Sequence, residues 1–285
     1  MSKRKHIQAD DDSDDSSENL IDVDFDFFDP NPDVDFQAVK RLIGQLFSAD
    51  AELLHPHDLA ELILSQPQVG STVKTDGKES DPYAVLTVLN LHVHQNNPAI
   101  KSLVEYALLK SQPDAAFHSA LHSLIGPAAL GSSNHVGYVF SERLINMPVQ
   151  VMPHMYRMLV DELRAAVEQN QPFKYGHLLL ISRTYRLSSE EEAALNAQPF
   201  PSQSKKRRAQ TQVQPTSASG IYSFHHEDMV IQKFASHVLD FSFSNSQPRE
   251  QDAFGLDLSA RMMLVSADKL PELVVAMSEA FLTSP

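Results

Sequence analysis

Three carboxylates at alternating positions, Asp22, Asp24 and Asp26, are the first residues here whose spacing suggests chemistry. Apolar residues occupy the odd positions from Ile21 to Phe27, which is the pattern of a β-strand with all its carboxylates on one face. Such a row could bind a divalent cation or serve hydrolysis. It is more often the solvated side of an amphipathic strand, and the sequence favours that interpretation.

Paired histidines are the second candidate for chemistry. The members of each pair lie one or two positions apart, as metal ligands can: His55 and His57, His92 and His94, His225 and His226. No pair has an Asp or Glu at a metal-motif spacing, and HExxH does not occur. The chain contains no Cys, which excludes thiolate zinc sites, disulfides and thiol nucleophiles. Ser141 is not in a GxSxG motif, so it is not a predicted nucleophile. From these absences together we predict neither a metal ligand nor a catalytic residue.

The nine glycines do not form a nucleotide-binding loop. Neither GxGxxG nor GxxxxGK[ST] occurs, so the sequence does not encode the backbone amides that hold a pyrophosphate. We therefore expect no bound cofactor.

One run of four basic residues suggests a binding mechanism: Lys205, Lys206, Arg207 and Arg208. It lies within residues 188–220, which have an acidic start and an excess of Gln, Ser, Pro and Thr, and which we predict to be a disordered surface insertion. A nuclear import receptor binds an exposed basic peptide of this kind through its charges. We predict a nuclear localisation signal here, and a chance tetrad in disordered sequence is the alternative.

Length and charge limit the possible classes of function. A chain of 285 residues with 42% hydrophobic content can form one large domain. Its formal net charge of −14 opposes non-specific nucleic-acid binding and favours a basic partner or simple solubility. Because no long apolar run and no signal-peptide pattern occurs, we expect a soluble protein that is neither membrane-bound nor secreted.

Residues 1–19 are predicted to be a disordered acidic tail before a single domain at 20–285.

The elements that must position these residues follow from apolar spacing. The opening strand leads into an amphipathic helix for which Asp35 is the predicted N-cap. A strand at 135–140, a long helix beginning at Pro148 or Pro153 and a strand at 175–187 form a βαβ-like unit. With about seven helices and six or seven strands, we predict an α/β or α+β fold: a mixed sheet flanked by helices.

Three segments of the chain carry motifs more specific than apolar spacing. The first contains a strand end, D-F-x-F-x-D-P from Asp24 to Pro30, and a helix, D-F-x-x-[IV]-K-x-L-[IL]-x-Q-L from Asp35 to Leu46. The others are Ser141 to Leu163, which opens with SERLINMP, and Phe173 to Tyr185. In these motifs the chain resembles the BCCIP family of eukaryotic nuclear proteins, and SERLINMP is the most specific of them.

The resemblance implies a twisted mixed sheet related to the acetyltransferase (GNAT) fold, in proteins that bind other proteins in the nucleus. Its fungal branch resembles a chaperone that holds a large-subunit ribosomal protein after import and supports export of a phosphoinositide kinase. Acetyltransferases need a [QR]xxGx[GA] turn for coenzyme A. Arg41 precedes Gly44 at the required spacing, but Leu46 stands where Gly or Ala is needed, so the enzyme pattern fails.

Three hypotheses follow for function. The leading one is an acidic nuclear chaperone without enzymatic activity, whose carboxylates, among them Asp22, Asp24 and Asp26, mask the basic surface of a ribosomal protein. Its expected partners are that protein, nuclear import and export receptors and a lipid kinase, with no direct contact to nucleic acid or membrane. The second is an acyltransferase with an unorthodox coenzyme A site. The third is a protein-interaction scaffold in cell-cycle or DNA-repair control.

Overall fold

A computed structural model describes residues 24–66, 68–187, 220–246 and 256–282, which form an α/β fold in three layers. The strands of its sheet are β1 (Asp26–Phe28), β2 (Ser71–Lys74), β3 (Ala84–Asn90), β4 (His135–Arg143), β5 (Tyr175–Arg186), β6 (Ile221–Ser223), β7 (Ala235–Ser242) and β8 (Asp257–Ser266). The helices are α1 (Pro32–Phe47), α2 (Pro56–Leu64), α3 (Pro98–Ser111), α4 (Ala115–Ile125), α5 (Met152–Glu168), α6 (Asp228–Phe234) and α7 (Leu270–Phe281).

The strands form one mixed sheet in the order β1-β2-β3-β4-β5-β8-β7, and β6 pairs with the end of β5. Within it β4 and β5 are parallel, and the other neighbours are antiparallel. Parallel neighbours need a crossover connection, and α5 supplies it. The predicted βαβ unit and the predicted α/β class are both confirmed.

Each face of the sheet carries its own apolar core. Helices α1 to α4 pack on one face, which we call the front face, and α5 to α7 pack on the other, the back face. Strand β3 is buried along its whole length because helices cover it on both sides. That double burial explains its nearly continuous run of apolar residues.

The opening strand is shorter than predicted, since β1 has three residues. Its predicted alternation holds where the chain is described: Phe25 and Phe27 pack against the back-face core, whereas Asp24 and Asp26 are exposed. Asp26 lies directly opposite Lys74 of β2. Residues that face each other across an antiparallel pair share one face of the sheet, so the two aspartates lie on the front face.

Helix α1 begins earlier than predicted, and its N-cap is Asn31 rather than Asp35. The Asn31 side chain accepts a hydrogen bond from the backbone N–H of Asp33, and Pro32 has no N–H to satisfy. Asp35 instead lies inside the first turn and is fully buried. Its carboxylate accepts hydrogen bonds from the Asn31 N–H at 2.8 Å and from Lys74 Nζ at 2.6 Å. The N-cap prediction was wrong because α1 extends to Pro32 with Asn31 as its cap, which places Asp35 inside the helix, where its carboxylate binds Lys74.

Helix α5 begins at Met152, one residue before Pro153, after a short 3-10 turn at Val149–Val151. The predicted β4 strand continues three residues further, to Arg143. Strand β6 was missed, because three residues are too few for a periodic pattern. The predicted acidic tail at 1–19 and the insertion at 188–220, apart from Gly220, lie outside the described residues. Among the described helices, none has both the length and the apolar content needed to cross a bilayer.

Candidate functional site

The parallel strands β4 and β5 separate towards one end of the sheet and form a fork. Strand β4 pairs with β5 only as far as Val139, opposite Leu180. Beyond that point β6 pairs with β5 at Thr184–Arg186, along the edge that β4 has left. The chain then enters α6, and on the way His225 contacts Glu142 and Glu227 contacts Arg143, both of β4.

On the front face, the fork is organised around Glu142, which is 1% exposed. One of its carboxylate oxygens, Oε1, accepts hydrogen bonds from Arg183 Nη2 at 2.8 Å, from His225 Nε2 at 3.1 Å and from Gln45 Nε2 of α1. Burial alone would raise the pKa of the Glu142 carboxyl, but His225 and Arg183 outweigh it and hold that pKa below its ordinary value. Burial alone would lower the pKa of His225, but the neighbouring Glu142 carboxylate outweighs burial and raises that pKa above its ordinary value.

On the back face, the fork contains a bidentate ion pair between Arg143 and Glu227. Arg143 Nε and Nη2 donate to the two Glu227 oxygens, both at 2.9 Å, and Nη1 donates to the Met147 carbonyl at 2.8 Å. Burial would raise the pKa of the Glu227 carboxyl, but the Arg143 charge outweighs it and lowers the pKa. Asp228 accepts a hydrogen bond from Ser182, and burial raises its pKa to about 7.

These contacts make the fork a structural junction in which charged and polar side chains hold β4, β5 and the start of α6 together. A cavity between them measures about 10 Å³, which is barely enough for one water molecule. Sequence reasoning missed this network, apart from singling out His225. Glu142 and Arg143 did carry a signal, since they are charged residues that directly continue an apolar strand.

A groove of about 530 Å³ lies on the front face between α1 and the loop that joins β2 to β3. Its lining residues come from those two walls and from the segment after β4: Ala38, Arg41, Leu42, Gln45, Asp76, Ser80, Asp81, Pro82, Tyr83 and Leu144. Gln45 connects the groove to the fork, because its side chain donates to Glu142 and, at 3.0 Å, to the Arg143 carbonyl. The SERLINMP segment therefore contributes both to the buried junction and to the edge of the groove.

Exposed carboxylates continue from the groove along the front face. Asp76 lines the groove, and Asp24 and Asp26 project from the neighbouring strand on the same face. None of the three forms an ion pair with a residue in the described ranges. Asp22, the third carboxylate of the predicted row, lies outside those ranges. The structure thus places two of the three predicted residues near the groove but does not itself assign them a ligand.

Comparison with known proteins identifies the family. The BCCIP family model matches residues 20–231 of this chain. The chain belongs to the BCCIP family. The resemblance inferred from the opening strand and helix, from SERLINMP and from the later strand is therefore confirmed.

Fungal relatives match the BCCIP chain over nearly its whole length. Protein BCP1 of Gibberella zeae is 38% identical, over 96% of this chain and 92% of the relative. Protein bcp1 of Schizosaccharomyces pombe is 38% identical, over 92% and 91% of the two chains. The crystal structure of BCP1 from Saccharomyces cerevisiae covers 94% of this chain with a TM-score of 0.60 and 24% identity, and it is similar in fold.

The histidines that the structure describes in this BCCIP protein do not gather into a metal site. In the parts of the chain that the structure describes, no three His, Asp or Glu side chains are arranged to hold a metal ion. His92 follows the end of β3 and stacks on His135 at 4.9 Å between ring centroids. Burial and the neighbouring His135 lower the pKa of His92. His225 contacts Glu142, and the adjacent His226 is half-buried. The predicted localisation signal, Lys205 to Arg208, lies outside the described residues.

Proposed function

We propose that this protein is a nuclear binding protein that acts as a dedicated chaperone and escort for a basic ribosomal protein of the large subunit. In that role it serves maturation of the 60S subunit, supports nuclear export of a phosphoinositide kinase and shuttles between nucleus and cytoplasm with import and export receptors. It works by binding and not by catalysis, and it contacts neither nucleic acid nor membrane directly.

The observation that supports this proposal is a row of exposed carboxylates beside an open groove, none of which has an ionic partner among the residues that the structure describes. Asp24, Asp26 and Asp76 are exposed on one face of a chain whose formal net charge is −14. Ribosomal proteins bind RNA through surfaces rich in Lys and Arg, and carboxylates on a folded surface compete with phosphate for those cations. Such binding is reversible and weakens with salt, which is what an escort that must release its client requires.

Calorimetric titration of the full chain with purified basic large-subunit ribosomal proteins, at low and moderate salt, tests this function. We expect a complex whose affinity falls steeply with salt. Changing Asp22, Asp24 and Asp26 together to Asn should weaken it more than deleting residues 1–19, because an acidic tail of the kind predicted from this composition would lose entropy in making a fixed contact. The matched control neutralises three exposed carboxylates of the back-face helices: Asp161, Glu168 and Glu272.

Two results would count against the function. Failure to bind any basic ribosomal protein would reject the chaperone role, and salt-independent affinity would reject masking by charge. A tail deletion that abolished binding would move the contact off the folded domain. Equal losses in the front-face and back-face variants would leave the function standing but remove its assignment to the opening strand.

The proposed localisation has a test of its own. Replacing Lys205, Lys206, Arg207 and Arg208 with Ala should shift the protein towards the cytoplasm, as measured by imaging of a fluorescent fusion. Replacing the acidic run Glu190 to Glu192 with Ala in the same segment is the control and should leave the distribution unchanged. An unaltered nuclear level in the tetrad variant would show that another signal or a partner carries the protein into the nucleus.

A further inference from the structure

We propose that the groove between α1 and the β2–β3 loop is the docking site for a client segment in which a Lys or Arg lies beside an apolar side chain. This inference rests on the proposed function and goes beyond it, since it names the surface and the chemistry of the segment that the surface takes.

The shape and lining of the groove suit an apolar side chain. Tyr83 and Leu144 are partly exposed and supply the apolar surface of the groove, and Ala38 and Leu42 of α1 lie buried beneath it. The volume of about 530 Å³ is within the roughly 300–1,000 Å³ of pockets that bind ligands. A leucine or similar side chain placed there would leave water, and that burial would add to affinity.

The mouth of the groove suits a cation. Asp76 lies at this mouth without an ionic partner among the described residues. Asp81 is paired across the groove with Arg41 at 2.7 Å, but the two side chains are 57% and 64% exposed. An ion pair that open to solvent contributes little to stability, so a cation from a partner can take the place of Arg41. Asp24 and Asp26 extend the negative surface beyond the groove.

Both walls are held in place by buried polar contacts. On the α1 side, Gln45 donates to Glu142, which also accepts from the Arg183 guanidinium. On the loop side, Lys74 Nζ donates to Asp35 of α1 at 2.6 Å and to the Lys78 carbonyl at 2.7 Å. The groove is therefore formed before a partner arrives, and binding does not have to supply the ordering of its walls.

The sharpest test is a variant that should bind more tightly, because misfolding cannot produce that result. Arg41→Gln removes the internal cation that competes for Asp81. The matched control is Arg164→Gln, which removes the arginine from another exposed pair, Arg164 with Asp161, on the back-face helix α5. Both variants change the net charge equally, so only position distinguishes them.

The probe for this test is a fluorescein-labelled peptide with the sequence KLK in a Gly/Ser frame, measured by fluorescence anisotropy at low salt. Companion peptides carry KSK, which lacks the apolar side chain, and ELE, which reverses the charge. We expect KLK to bind the wild-type protein more tightly than KSK, and ELE not to bind. Arg41→Gln should tighten KLK binding about threefold, the scale of one exposed ion pair, and Arg164→Gln should leave it nearly unchanged.

Three outcomes would overturn the proposal. Equal tightening in both arginine variants would mean that net charge alone determines the affinity. Equal affinity for KLK and KSK would show that the groove does not bind an apolar side chain, and a complete lack of KLK binding would reject the site.

Binding of the ribosomal client then separates this inference from the proposed function. Asp76→Lys should weaken client binding about tenfold, against a much smaller loss for Glu168→Lys on α5. If the client binds the wild-type protein and both variants equally, the groove is rejected and the chaperone function stands.

Discussion

The fork and the groove each contain an ion pair between an arginine and a carboxylate, but the two pairs differ in their exposure to solvent. In the fork, Arg143 and Glu227 are each 3% exposed and form two parallel hydrogen bonds. In the groove, Arg41 and Asp81 form one contact at 2.7 Å and are more than half exposed. The first pair joins a strand to a helix that is distant in sequence, and the second spans an opening.

The difference follows from solvation. Two buried charges have lost their water, so removing either partner leaves the other with an uncompensated desolvation cost. Two exposed charges keep most of their hydration, and their pairing is nearly neutral in free energy. Charges in the fork therefore specify the fold, whereas charges at the groove are free to exchange partners. The SERLINMP motif contributes to both regions, since Glu142 and Arg143 lie in the fork and Leu144 lines the groove.

The largest expected effect tests the buried side of this comparison. Arg143→Met should lower the free energy of unfolding by about 3 to 5 kcal/mol, because the Glu227 carboxylate would remain buried without its partner. Arg41→Met, the same substitution at the exposed pair, should cost at most about 1 kcal/mol. Urea unfolding followed by circular dichroism measures both. Similar midpoints for the two variants would remove the distinction between fork and groove.

A smaller effect is expected at the opening strand, where the two faces can be compared within one element. Phe25 is only half-buried against the back-face core, so Phe25→Ala should cost about 1 to 2 kcal/mol, less than the roughly 3 to 5 kcal/mol typical of a fully buried ring. Asp24→Asn, on the exposed front face, should change stability by less than about 0.5 kcal/mol. Thermal unfolding of the two variants would contradict the assignment of faces if Asp24→Asn were the more destabilising.

The pH dependence of stability sharpens the contrast further. Burial raises the pKa of Asp228 to about 7, from an ordinary value of 3.8, against the lowering influence of His225, Ser182 and Arg261. Between those two pH values the folded state holds a proton that the unfolded state has lost, so this group's contribution to stability falls as pH rises through the window. Asp228→Asn should therefore gain stability relative to wild type from pH 5 to pH 8, by about 1 kcal/mol or more.

The control for this measurement is Asp161→Asn, which removes an exposed carboxylate of α5 and shows how much of the effect comes from the loss of one negative charge. Chemical unfolding at each pH supplies the data. A pH-independent difference between Asp228→Asn and wild type would show that the Asp228 carboxyl titrates at the same pH in the folded and the unfolded chain.

The smallest effect is expected at the mouth of the groove. Asp81→Asn breaks the pair with Arg41 and should change the unfolding midpoint by no more than experimental error, since both side chains remain hydrated. For the same reason, the screening of this ion pair by added salt should hardly change the unfolding midpoint of the wild-type protein. A loss above about 1 kcal/mol would mean that the contact across the groove is structural, and that it is not available for exchange with a partner.

Local patterns in the sequence were sufficient for the class of fold and for much of its architecture. Apolar alternation identified the faces of the opening strand, and the order of strand, long helix and strand identified the parallel pair β4 and β5. These succeed because the period of apolar residues reports directly which side of an element is buried. Motifs along the same stretches were also sufficient to identify the BCCIP family.

Only the tertiary structure decided which charges are buried and what they contact. Asp35 has the residue type of an N-cap, yet it lies inside the first turn of α1 and is bound by Lys74, which is 39 residues away in the chain. Glu142 and His225 meet across the fork although 83 residues separate them. Spacing along the chain cannot report such pairs, because the energy of a buried charge depends on which distant partner the fold brings within hydrogen-bonding distance.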